Sequence, residues 1–166
     1  MDIITVSRDI LNWSETFVEV PHPMLGNWAP CPFARQARLA GTVGIFIGRD
    51  PYFDLESRAT QGMQQYEVVI YAYDPGEWTY NYFSPRLQAA NKDFLLAADL
   101  IVLEDHPDDV ENVNGVIMNQ GQYALAMVQN LSKLNERAGP LAAKGFYHNW
   151  PEEYLTGLFE YRKDPR

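Results

Sequence analysis

Residues 42–76, TVGIFIGRDPYFDLESRATQGMQQYEVVIYAYDPG, decide the fold class. Thr42 to Gly48 is a short β-branched run closed by turn residues, which predicts a buried strand over about 42–48. Asp50-Pro51 then joins an N-cap acid to a proline at the first helical position, and Tyr52, Leu55, Ala59 and Met63 recur on one helical face. Tyr66 to Tyr73 predicts a second strand, stopped by the turn residues Asp74-Pro75-Gly76. Strands alternating with helices imply crossover connections and an α/β layer arrangement.

The flanking segments extend this pattern. Ser7 caps an expected first helix, with Ile10, Trp13 and Phe17 at helical spacing before Pro21. Residues 21–32 hold four prolines and a glycine, an ordered connection rather than a regular element. Ser84-Pro85 reads as the start of a helix whose apolar stripe is Leu87, Ala90, Phe94 and Ala98, and Leu100 to Glu104 as a third strand. From about Asn119 to Glu136, Ala124, Met127, Val128, Leu131 and Leu134 trace the longest expected helix, with a start as early as Asp109 left open. A short helix over Gly139-Pro140 to Gly145 follows, then a last one from Trp150-Pro151-Glu152-Glu153 with Tyr154, Leu155, Leu158 and Phe159 inward. Residues 2–6 or 114–118 are candidates for a fourth strand. The expectation is a single α/β domain over 1–166, a small sandwich of three to four strands with helices covering the sheet.

Composition narrows function. The 166 residues carry a formal charge of −9, and the basic residues are scattered, so nucleic acid is a poor partner. No apolar run approaches the length needed to cross a bilayer, and the N-terminus lacks the basic and apolar regions of a signal peptide; the expected location is the cytoplasm. A single cysteine forms no internal disulfide and removes multi-thiolate zinc sites, and no cofactor or metal motif stands out.

That cysteine lies in Trp28-Ala-Pro-Cys-Pro-Phe-Ala-Arg-Gln-Ala-Arg-Leu-Ala-Gly41. With Pro32 at the first helical position, Cys31 becomes the N-cap and Gly41 the terminator. A thiol there meets free backbone N–H groups and the positive end of the helix dipole, and Arg35 one turn on adds a full charge; each favours thiolate. Burial against Trp28, Pro30 and Phe33 works in the opposite direction. The segment lacks the preceding strand and the resolving thiol of a thioredoxin-type site, since Ala34 occupies that position.

Cys31-Pro32-Phe33-Ala34, the strand through Val43, Ile45 and Ile47, and the later apolar strand ending in His106-Pro107 together resemble an uncharacterised bacterial protein family marked by a Cys-Pro-Phe-Ala segment. These pieces cover about a third of the chain, and the segment 66–83 reads as an insertion. The resemblance implies a cytoplasmic α/β domain and no particular reaction.

Two further clusters are candidate sites. Glu104-Asp105-His106-Pro107-Asp108-Asp109 falls at the carboxyl end of a strand, where open α/β sheets place ligands, and His106 with Asp105 suits a general base. Its spacing matches no cation-binding loop, and a solvated acidic turn is the plainer expectation. Tyr71, Tyr73 and Trp78 belong to an aromatic segment that reads equally as a ligand wall or as a lid on the protein's own core. Two functions stay open. One is a domain that binds a small molecule, through Trp28, Tyr71, Tyr73, Trp78 and Asp105, or associates with itself or another protein as a homo-oligomer or interaction module. The other is a thiol-dependent enzyme using Cys31, Arg35 and His106.

Overall fold

The computed structural model describes residues 1–119 and 121–166. Among these, the strands are β1 (Val43–Ile47), β2 (Val68–Tyr73), β3 (Leu100–Asp105), β4 (Asn112–Val113), β5 (Val116–Ile117) and β6 (Ala124–Asn130). The α-helices are α1 (Ile3–Trp13), α2 (Ala34–Leu39), α3 (Pro51–Gln61), α4 (Tyr80–Ala90), α5 (Leu131–Ala143) and α6 (Glu152–Leu158). The order across the main sheet is β1-β2-β6-β3, and β4 and β5 form a separate two-stranded hairpin. β1 and β2 run parallel, joined through α3, while β6 runs antiparallel to both β2 and β3. The protein is α/β with a mixed sheet.

The β1–α3–β2 unit follows its local chemistry. The Asp50 carboxylate accepts from the N–H groups of Tyr52 and Phe53, and Pro51 occupies the first turn. Gly48 has to be glycine, because a Cβ there would collide with the buried Tyr73 ring.

The sheet corrects the expected helix over 119–136. Ala124 to Asn130 is instead the strand between β2 and β3, and α5 begins only at Leu131; Gln120 lies outside the described residues. Ala124, Met127, Val128, Leu131 and Leu134 do fall at helical spacing, but a strand covered on both faces is an almost continuous apolar run and carries no alternation to mark it. α5 continues without a break through Pro140, so the separate helix expected from 139 is its last turn. Residues 3–6 lie in α1, which Asp2 rather than Ser7 caps, and 114–118 fall in the β4–β5 hairpin, so neither supplies the fourth strand of the sheet. The hairpin also replaces any helix starting near Asp109.

α4 starts at Tyr80, so Ser84-Pro85 is interior to it and not its cap. The carbonyl that Pro85 leaves without a helical donor belongs to exposed Asn81, within reach of solvent. A π-helical turn over Asn91–Leu95 then rotates the apolar stripe, so Leu95 is fully buried while Phe94 is half-buried and Ala98 exposed. The same turn aims the Asn91 amide at the outer edge of β3. It donates to the Val102 carbonyl at 3.1 Å and accepts from the Val102 N–H at 2.9 Å, blocking further strand pairing at that point.

Three apolar clusters hold the layers together. On one sheet face Val69, Tyr71, Tyr73, Val102 and Val128 pack against Leu55 of α3 and Phe83 and Leu87 of α4. On the other, Ile70, Ala72 and Leu125 meet Val6 and Ile10 of α1. The third lies apart from the sheet: Leu25, the hairpin residues Val113 and Val116, and Phe146, Trp150, Leu155 and Phe159 of the C-terminal segment.

Candidate functional site

Between the sheet and that third cluster lies a cavity of about 550 Å³, within the range of small-molecule sites. The sheet contributes Ile70, Met127 and Leu103 to its wall, α1 and the π-helical turn after it contribute Trp13 and Phe17, and α6 contributes Tyr154 and Leu158. The wall is chiefly apolar. It wraps the outer edge of β3, so residues that point to opposite faces of this edge strand, Glu104 and Asp105, both reach it.

The polar groups gather at that edge. Asp105 is only 4 % exposed, and its Oδ1 has no hydrogen-bond partner among the described residues. Burial, with Glu111 and Asp109 nearby, pushes its carboxyl up to about 7. Glu104 Oε1 accepts from the Ser84 hydroxyl at 2.9 Å, while Oε2 is buried and unpartnered. Burial raises Glu104 against the effect of that hydroxyl, and Asp109 and Glu111 raise it further. Glu111, also raised by burial, takes a hydrogen bond from Tyr154. The expected solvated acidic turn is thus buried at its strand end.

His106 is placed differently from the general base expected of it. It is fully buried, Nε2 donates to the Trp78 carbonyl at 2.9 Å, and Nδ1 accepts from the Asp108 N–H at 3.1 Å. Both ring nitrogens are used in joining the 74–79 turn to the end of β3.

Cys31 lines the cavity, but not as a helix cap. The first residue of α2 is Ala34 and the cap position falls on Phe33. Gly41 does terminate the helix, in the left-handed conformation at φ 68°. Burial pushes the Cys31 thiol up, outweighing the N–H groups of Phe33 and Ala34 and the charges of Arg137 and Arg162. Arg35 is exposed and is not among the charges acting on the thiol. Its charge acts instead on Glu19, which Arg38 holds by a 2.7 Å ion pair.

The aromatic candidates divide. Tyr71 and Tyr73 face the opposite side of the sheet, with the Tyr71 hydroxyl accepting from Arg58 and the Tyr73 hydroxyl donating to Asp54. Trp78 packs on the same cluster beneath the Arg86 guanidinium, and Trp28 packs edge-on to Phe146. Of the residues singled out in the sequence, the structure brings Cys31 and Asp105 into one cavity. Glu111, Tyr154 and Arg137 join them without any local sequence signal, because they arrive from separate loops and helices.

No helix among the described residues is long and apolar enough to cross a membrane, and no group of three His, Cys, Asp or Glu side chains among them is arranged to hold a metal ion. Compared with family models, with curated proteins and with solved structures, the chain matches none of them.

Proposed function

We propose that the protein binds a small, largely apolar molecule in the cavity between the sheet and the C-terminal layer. The observation that carries this reading is the coincidence of a wide apolar space with buried carboxylate oxygens at its rim that lack partners. Buried polar atoms in native proteins are nearly always paired, and an unpaired one on a cavity wall is open to a ligand that completes it. Self-association through the aromatic segment has less support, since Tyr71, Tyr73 and Phe83 are spent on the protein's own core. A thiol enzyme also has less support: Cys31 is beside the cavity, yet burial works against its ionisation.

The test uses Nile red, a neutral dye whose emission rises and shifts to the blue in apolar sites. The native protein should take it up saturably at one equivalent. Met127→Trp and Leu103→Trp, each placing an indole into the cavity wall, should abolish uptake while circular dichroism shows the fold retained. Absence of uptake by the native protein, or undiminished uptake by both folded variants, overturns the reading.

A further inference from the structure

The charges lining the cavity are not balanced, and their pairing says what kind of ligand the site accepts. Two cations reach the wall, and both are already committed: Arg38 to Glu19 at 2.7 Å and Arg137 to Glu67 at 3.3 Å. A ligand carboxylate or phosphate would find no free cation among the described lining residues. Arg162, which lies near Cys31 and Tyr147, does not line the cavity. Among the unpaired groups of the wall, the Trp13 indole N–H and the Tyr161 hydroxyl are neutral, and the charged capacity is all acceptor. It consists of Asp105 Oδ1, on a side chain more than nine-tenths buried, and Glu104 Oε2 of the preceding residue, both on the cavity wall.

Resting on the binding function proposed above, we infer that the ligand is an amphiphilic primary or secondary amine, its apolar body in the cavity and its ammonium donating to Asp105 and Glu104. An ammonium group offers several N–H donors in tetrahedral directions, so it can donate to Asp105 Oδ1 and still serve a second acceptor of the wall. The hydrogen bonds are charge-assisted, and they form where water is largely excluded, so each is stronger than at a surface. The desolvation of the acceptors, ordinarily the cost that cancels a buried ion pair, is already met by the fold. The charges that act on Asp105 are further acids rather than competing cations: Asp109 and Glu111 on the following loop, with Tyr154 of α6 donating to Glu111. An ammonium relieves that mutual repulsion; a neutral or anionic headgroup does not.

The experiment is displacement of Nile red at pH 8 by three eight-carbon probes, n-octylamine, 1-octanol and octanoate, which share an apolar tail and differ in headgroup charge. The amine should displace the dye at a concentration lower than the alcohol by about tenfold or more, with octanoate weakest. Asp105→Asn, which keeps the shape of the side chain, should bring amine and alcohol within about threefold of each other, each displacement being normalised to the variant's own dye affinity. Glu104→Gln should do the same in part, and serves alone if the first variant does not fold. Equal displacement by octylamine and octanol in the native protein, or an amine preference that survives in both folded variants, overturns the inference and leaves the cavity reading standing. A native protein that takes up no dye overturns the cavity reading itself.

Discussion

Two residues, Cys31 and Asp105, show how burial decides chemistry that sequence leaves balanced. At Cys31 the backbone amides and two arginines favour thiolate, and desolvation opposes them and wins. The rate of iodoacetamide modification should therefore rise with pH along a curve whose midpoint lies above that of a free cysteine, about 8.5. Arg35→Ala should leave that midpoint unchanged, because Arg35 is exposed and does not act on the thiol. A midpoint below 8 that moves up in the variant would restore the helix-dipole reading. At Asp105 the raised carboxyl, about 7 against 3.8 for the free side chain, means that the folded protein keeps a proton the unfolded chain has released. The stability this proton contributes is complete below the unfolded value and is lost as pH rises through about 7. Each pKa unit corresponds to about 1.4 kcal/mol, so Asp105→Asn should be more stable than the native protein by about 1–3 kcal/mol at pH 8 and lose most of that advantage at pH 5. Urea unfolding at the two pH values measures it; equal stability of the two proteins at both would place Asp105 in water.

At the scale of the element, the edges of the sheet are where side chains do backbone work. Asn91 is 2 % exposed and sits in a π-helical turn, a rare element whose extra residue aims the amide at Val102. Asn91→Leu would remove both hydrogen bonds and leave the Val102 N–H and carbonyl buried and unpaired, at a cost of about 2–4 kcal/mol. The midpoint of urea denaturation should fall accordingly, and the freed strand edge should make the variant prone to associate. A variant as stable as the native protein would show that water or a neighbouring group replaces the amide without loss.

The whole molecule is a sheet sandwich with a second apolar layer standing off from one face. The layers on the α3/α4 side pack directly on the strands, whereas the C-terminal layer meets the sheet across the cavity. Opening that layer exposes less buried apolar surface than opening the sheet, so hydrogen exchange should divide the chain. Amides of β2 and β6 should exchange only through global unfolding, while those of α6 and of the β4–β5 hairpin should exchange through a lower-energy opening. Addition of a bound ligand should slow the second group selectively, since a molecule bound only to the closed form stabilises it by mass action. Uniform protection across both groups would mean that the layers unfold as one.

Local chemistry was sufficient for β1, α3, β2 and β3, because each is bounded by residues whose backbone preferences act over a few positions: Asp50-Pro51 at a helix start, Asp74-Pro75-Gly76 at a strand end, Gly41 past a helix. It was sufficient too for the α/β class and for drawing attention to Cys31 and to the acidic end of β3. It failed at β6, where the run Ala124 to Val128 satisfies helical spacing as well as a doubly covered strand, and where the choice is made by the hydrogen bonds that β2 and β3 offer from either side. It failed equally at His106 and Arg35. The sequence places a histidine beside an acid and an arginine one turn from a thiol, but it does not say that the histidine's two nitrogens are taken by Trp78 and Asp108, or that the arginine faces solvent. Nor does it say that Cys31 and Asp105, more than seventy residues apart, border one space with Tyr154. Turn and cap preferences are properties of neighbouring residues; burial, and with it charge and the ownership of each polar atom, comes into being only when distant segments close over one another.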